Sequence, residues 1–185
     1  VSTANSVKLI SQAKKKGLNV SCSVAIHNLF FTDAMLKEFD TNYKVLPPLR
    51  AKSDVKALIK AVEEGIIDFV TTDHNPLDVE VKKMEFDHAK YGTIGLESAF
   101  GALGTLFSIE KCIEILTRNK ERFGIENTVI AEGQPARLTF FDPDFDYTFG
   151  ENHIFSSSKN SAFLGAKLKG KTLGILSNNQ LVLHP

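Results

Sequence analysis

Asp68-Phe-Val-Thr-Thr-Asp-His-Asn-Pro76 decides how the rest of this chain is read. Ile66 and Ile67 lead into it, Phe69 and Val70 continue the apolar run, and β-branched Thr71 and Thr72 extend it. Bounded by Gly65 and Pro76, the run predicts a buried strand of a parallel sheet. It stops abruptly at Asp73 and His74, two groups that titrate or bind metals. In α/β folds ligands sit at the carboxyl ends of the strands, which makes Asp73 a candidate metal ligand or base. Asp-x-Asn-Pro is also ordinary turn chemistry, so a capping role for Asp73 stays open on these residues alone.

Working outward, Ser53 is expected to cap a helix whose Val55, Leu58, Ile59 and Val62 fall at i, i+3, i+4, i+7, with Gly65 as its stop. Further upstream, Ser2 or Thr3 caps a helix to about Lys16. Val20 to Ile26 reads as a strand with His27 at its end. Thr32-Asp33 opens a short helix to about Phe39, and Tyr43 to Leu46 is a short strand stopped by Pro47-Pro48. Strand and helix in regular alternation mean a parallel sheet covered by helices. Downstream, Leu77 to Ile94 is a long polar loop, of the kind that is usually functional or mobile. Two helices come next. One carries Leu96, Ala99, Phe100, Leu103 and Phe107; the other, capped by Ser108, is expected to bury Ile109, Cys112, Ile113 and Leu116. After about Arg122 the pattern turns to short strands at Thr128–Ile130, Arg137–Phe141, Thr172–Leu176 and Gln180–Leu183. Turns at Gly133, Asp142-Pro143, Gly150, Gly170 and Asn178-Asn179 separate them, the last a hairpin signal.

The totals exclude several classes. Lys+Arg and Asp+Glu both number 22, so the formal charge of zero gives no reason to expect nucleic acid or an anionic membrane surface. No apolar run spans a bilayer. Two cysteines, Cys22 and Cys112, are too few for a zinc motif or a disulfide framework; read as reduced core thiols, they point to the cytoplasm. The 185 residues start at Val1 and enter a helix almost at once, which reads as the middle of a protein.

The stretches Val1-Ser-Thr-Ala, Val24-Ala-Ile-His27, Lys44-Val-Leu-Pro-Pro-Leu-Arg50, Thr72-Asp-His-Asn-Pro76 and Gly92-Thr-Ile-Gly-Leu-Glu97 come in one order. Ile130-Ala-Glu-Gly133, Leu138-Thr-Phe-Phe-Asp-Pro143 and Ser156-Ser-Ser-Lys-Asn160 complete the series. In that order they resemble the C-terminal part of dihydroorotases, zinc-dependent members of the amidohydrolase superfamily. The resemblance implies an α/β fold: residues 1–122 as the C-terminal portion of a (β/α)8 TIM barrel, and residues 123–185 as part of a small composite β domain. It implies reversible hydrolysis of dihydroorotate to N-carbamoyl-aspartate, a step of pyrimidine biosynthesis, with one or two zinc ions in the full-length protein. His27 matches a metal ligand at the end of strand 6. Asp73 matches the strand-8 ligand that also serves as general acid and base. Tyr91 and Gly92 fall where the family touches substrate with backbone groups, and Glu97 is expected to fix that loop.

Departures accompany the match. Leu46 and Leu77 stand where the family has a substrate-binding Asn and His, and Asn28 replaces the second His of a common pair. Each Leu removes a hydrogen-bonding partner worth roughly 1–3 kcal/mol for a polar substrate. Two other readings are therefore carried. One is a catalytically degraded scaffold partnering aspartate carbamoyltransferase; the other is a cyclic amidase of hydantoinase type that accepts a less polar ring. The expected partners are a small-molecule substrate and the missing N-terminal half, with a homodimer left open. The piece alone is expected to be inactive, because the family's remaining ligand positions lie outside it. His88, His153 and His184 read as solvated, His74 as a loop support, Lys14-Lys15-Lys16 as a solvated helix end, and Phe30-Phe31 and Phe140-Phe141 as core.

Overall fold

Residues 1–126 and 129–183 are described by the structure, a computed structural model. Helix α1 (Ala4–Lys15) is capped by Thr3, whose Oγ1 accepts the Ser6 N–H at 3.1 Å. Lys14, expected to be solvated, instead donates to Ile66 O at 2.9 Å and to Asp68 Oδ1 at 2.7 Å, tying α1 to the start of the key stretch. Helix α3 (Lys52–Glu63) begins one residue ahead of Ser53, with Ala51 at its N-cap, and buries Val55, Leu58, Ala61 and Val62.

Strands β1 (Ser23–Ala25) and β2 (Phe69–Thr71) run parallel, with Ser23 opposite Phe69 and Ala25 opposite Thr71. Both are shorter than predicted. The Ile66 and Ile67 N–H groups turn back to Ala61 O, closing α3, so the strand proper starts only after them. Nor is β2 fully buried: Phe69 and Val70 are half-buried and Thr71 is exposed. Among the described residues the pair has no third strand. His27 lies just past β1, in a short helix α2 (Ile26–Phe30).

The strand expected at Tyr43–Leu46 is absent. A 3-10 turn at Thr41–Tyr43 takes its place, nucleated by Asp40, whose Oδ1 accepts the Asn42 N–H at 2.8 Å. Another 3-10 helix occupies Asp33–Glu38. The polar loop contains one short helix, α4 (Val79–Lys82).

Helices α5 (Ala99–Leu106) and α6 (Ile109–Thr117) come next, the second capped by Ser108 as expected. The buried face of α6 is Cys112 and Ile115, while Ile113 and Leu116 are exposed. Arg118, three residues past Ile115, donates to Ile67 O and Asp68 O, and this fixes the rotation of the helix. Both cysteines are free, and burial pushes the Cys112 thiol up to about 11.

Strands β3 (Leu138–Thr148), β4 (Lys167–Ser177) and β5 (Gln180–Leu183) form an antiparallel sheet in that order. The turns expected at Asp142-Pro143 and Gly170 lie inside long strands. A register irregularity between Asp142 and Asp146 accommodates Pro143, which has no N–H for the ladder. Asn178 and Asn179 do make the hairpin, with φ of 50° and 58°. Of the expected strand at 128–130, Thr128 lies outside the described residues, and Val129 and Ile130 are exposed and not in a strand.

A single apolar cluster joins the parallel pair to α5, β4 and the segment before β4. Val24, Ile26 and Leu29 share it with Leu58, Val62, Leu103, Phe149, Phe163 and Leu168. The Phe163 ring meets Phe30 at 5.3 Å and Phe31 at 4.9 Å, so those two phenylalanines are core as expected. Phe141 packs on Phe100, but Phe140 is 39% exposed. Strand β4 crosses α5 so closely that a Cβ on Gly104 would lie 2.3 Å from Lys169 O. No described helix is long and apolar enough to cross a membrane.

Candidate active site

His27 and Asp73 each stand two residues past the last paired position of adjacent parallel strands, Ala25 and Thr71. That symmetry brings His27 Nε2 to 3.9 Å from Asp73 Oδ2. The distance is too long for a hydrogen bond. The imidazole is fully buried, and neither ring nitrogen has a partner. Leaving a buried polar atom unpaired costs about 1–3 kcal/mol. Asp73, by contrast, is half-exposed and sits in the left-handed region at φ 47°, which Asp tolerates better than most residues.

Burial lowers the His27 pKa from 6.5 to about 4, against the opposing pull of the Asp73 charge. The ring is thus neutral at physiological pH, the state in which imidazole binds metals. Two donors at about 2.0–2.2 Å from one tetrahedral zinc ion lie about 3.4 Å apart, so this pair, at 3.9 Å, stands about half an ångström wider than the bound spacing. Among the described residues no group of three or more His, Cys, Asp or Glu side chains is placed to share a cation. A metal held here takes its other ligands from elsewhere. The folded pKa lies below the unfolded one, so between about pH 4 and 6.5 the unfolded chain binds more protons. Metal-stripped protein is therefore expected to hold full His27-linked stability above about pH 6.5 and to lose up to about 3 kcal/mol as pH falls toward 4. Urea titrations of the His27→Gln variant, which lacks this slope, provide the check.

The surroundings hold Asp73 in place. His74 Nδ1 accepts the N–H groups of Gly95 and Leu96, both at 3.2 Å, which is the loop-supporting role expected of it. Glu97 Oε1 accepts the Ser156 N–H at 2.9 Å. Gly95 must be glycine, because an added Cβ would lie 2.4 Å from Thr72 O. His153, expected to be solvated, stacks on Phe149 and packs at a tilt against Tyr147, and its Nδ1 accepts the Gly150 N–H.

Tyr91 and Gly92 are laced to the Asp73 segment and to Lys44. Asn75 Nδ2 donates to Tyr91 O, Gly92 N–H donates to Lys44 O, and Gly92 O accepts from Lys82 Nζ and Asn160 Nδ2. These backbone groups are spoken for inside the chain, which leaves the half-exposed Tyr91 ring as the segment's outward feature. Leu77 is half-buried and its N–H donates to Asn160 Oδ1, while Leu46 is 65% exposed. Sequence reasoning passed over Lys82 and gave no role to Asn75 or Lys44, although both lie in quoted stretches. Asn160 closes a quoted stretch, but a side chain that bridges two loops leaves no periodic trace.

No protein-family model matches the chain. The dihydroorotase of Caldicellulosiruptor saccharolyticus is 39% identical over 98% of the chain and 44% of its own length. The L-hydantoinase (dihydropyrimidinase) of Arthrobacter aurescens superposes with a TM-score of 0.89 at 26% identity, covering 100% of the chain and 44% of that structure. The inactive dihydroorotase-like domain of a Chaetomium thermophilum CAD-like multifunctional protein superposes at 0.66 and 23% identity, covering 100% of the chain and 51% of that domain. The chain thus spans under half the length of the curated relatives it matches. The resemblance to dihydroorotases holds along almost the whole chain, and the fold it supplies is the matching part of an amidohydrolase barrel.

Proposed function

We propose that the polypeptide carrying this chain is a zinc-dependent hydrolase of cyclic amides, opening dihydroorotate to N-carbamoyl-aspartate and closing it again. One observation carries the reading: a fully buried imidazole with two unpartnered nitrogens faces a half-exposed carboxylate across 3.9 Å at the ends of parallel strands. Such a pair is costly to the fold and useful to a cation. His27 and Asp73 would hold the zinc ion, which when bound would supply Lewis-acid polarisation of the ring amide and a lower pKa for the attacking water. The Asp73 carboxylate takes that water's proton and passes it to the departing ring nitrogen. His27 stays neutral and fixed in its apolar pocket. The Tyr91–Gly92 segment, tied to Asn75 two residues past Asp73, is the part of the chain proposed to touch the substrate.

Residues 123–185 are proposed to belong to a composite β domain shared with the rest of the polypeptide, and the cytoplasm is the proposed compartment. A homodimer belongs to the same proposal; an aspartate carbamoyltransferase partner belongs to the alternative of a scaffold without catalysis.

Leu46 and Leu77 support a second reading, a preference for a less polar ring of the kind named in the hydantoinase and dihydropyrimidinase structures. Ring-opening assays on the zinc-loaded full-length protein, with dihydroorotate beside a 5-alkyl hydantoin, separate the two. The double variant Leu46→Asn, Leu77→His is expected to shift the ratio of kcat/KM toward dihydroorotate by roughly tenfold or more. Absence of turnover on every ring, with zinc bound, would leave a scaffold without catalysis.

A further inference from the structure

Among the described residues two lysines are buried, Lys44 and Lys82. A buried ammonium is costly unless hydrogen-bonded. Lys82 closes α4, and its Nζ donates to Thr41 O, to Gly92 O at 3.0 Å and to Lys90 O at 3.1 Å. An ammonium has three N–H donors, and all three are taken. Lys82 also borders a cavity of about 640 Å³ with Leu77, Asp78, Lys83 and Asn160. With no donor left over, it is not a ligand-binding lysine for that cavity. Its carbonyl partners come from two separate segments, the turn at Thr41 and the stretch 90–92. Around it, Thr41 Oγ1 donates to Lys82 O at 2.7 Å and Lys90 N–H donates to Val81 O at 3.0 Å. Lys44 Nζ binds Phe86 O and Asp87 O and lies 4.8 Å from the Tyr91 ring centroid.

We infer that Lys82 is a positioning residue for substrate: its ammonium fixes the Lys90–Gly92 backbone, and with it the Tyr91 ring, against the segment that carries Asp73. The inference rests on the hydrolase reading above. Gly92 has φ 140°, and Asn75 occupies the space of any Cβ, so this backbone is held by its partners and not by its own side chain. Burial brings Lys82 down to about 8, with Asp40 raising it and Lys44 lowering it. Asp78, Lys83, Glu151 and Lys159 are the other charged groups around the adjoining cavity. The amine form has two N–H donors for three carbonyls, so one carbonyl loses its partner as pH rises through about 8.

The test uses the zinc-loaded full-length protein, with the better of the two ring substrates, and the variants Lys82→Met and Lys82→Arg. For Lys82→Met we expect KM to rise roughly tenfold or more while kcat changes less than about threefold. Zinc content should stay the same, and amide exchange should speed up only within 77–94 and in the turn around Thr41. Wild-type KM should climb above about pH 8, and this limb should vanish in Lys82→Arg, whose guanidinium does not titrate. An unchanged KM in Lys82→Met overturns the inference. So does loss of zinc and kcat together, with exchange accelerated along the whole chain. Should Lys82→Met not fold, the alkaline limb decides: its persistence in Lys82→Arg, or its absence from wild type, overturns the inference. A wild type that opens no ring overturns the hydrolase reading itself, a different result from a working enzyme indifferent to Lys82.

Discussion

Asp73→Asn in the full-length polypeptide is expected to lower turnover by roughly 10²–10⁴-fold while leaving the fold intact. Asn keeps the size of the side chain and shares Asp's tolerance of the left-handed backbone found at this position. The side chain is half-exposed, so the amide pays little for its surroundings. What it loses is basicity: an amide takes no proton from water, and it is a poorer zinc ligand than a carboxylate. Steady-state ring opening, zinc content and a thermal melt on one preparation separate these effects. The expected pattern is a collapsed kcat, a melting temperature within a few degrees of wild type, and zinc no more than partly retained. A variant with wild-type kcat would remove Asp73 from the chemistry. His27→Ala makes the contrast, since it removes a fully buried donor to the metal and leaves the Asp73 carboxylate in place, and its main effect is expected in zinc content.

The second large effect is one of packing. Phe163→Ala is expected to cost about 3–5 kcal/mol, read as a shift of the urea midpoint at constant slope. Phe163 is fully buried and packs edge-on against Phe30 and tilted against Phe31, at the end of the helix that carries His27. Its loss opens a cavity where two parts of the chain meet, the Ser161–Ala166 segment and α2. A destabilisation below about 1 kcal/mol would mean that the contact is not structural. Because α2 holds the imidazole, zinc affinity is expected to fall in the same variant without any change to a ligand.

Where the chain repeats itself locally, the sequence was readable. The helix around Leu58, the α1 cap at Thr3, the Ser108 cap and the Asn178-Asn179 hairpin all arise from short-range pattern and turn chemistry. The parallel pair and the meeting of His27 with Asp73 reflect where apolar runs stop. Long-range partners left no such mark. The rotation of α6 is set by Arg118 reaching Ile67 and Asp68, some fifty residues away in sequence. The absent strand at Tyr43–Leu46 lost to a side chain, Asp40, that binds its own backbone. His153 looked like loop because its ring partners, Tyr147 and Phe149, lie just outside the turn it occupies. The engagement of Gly92 by Lys44, Lys82 and Asn160 was likewise invisible, since each bond joins separate segments.

The two-residue overhang of His27 and Asp73 beyond paired strands has a consequence for how such a chain diversifies. The spacing of that pair is inherited from the ladder between β1 and β2, whereas Leu46, Leu77 and Tyr91 belong to connecting segments. Drift in the connections alters the surroundings of the pair without disturbing its spacing. On the hydrolase reading proposed above, a lineage with this layout is free to explore new rings while its chemistry stands still.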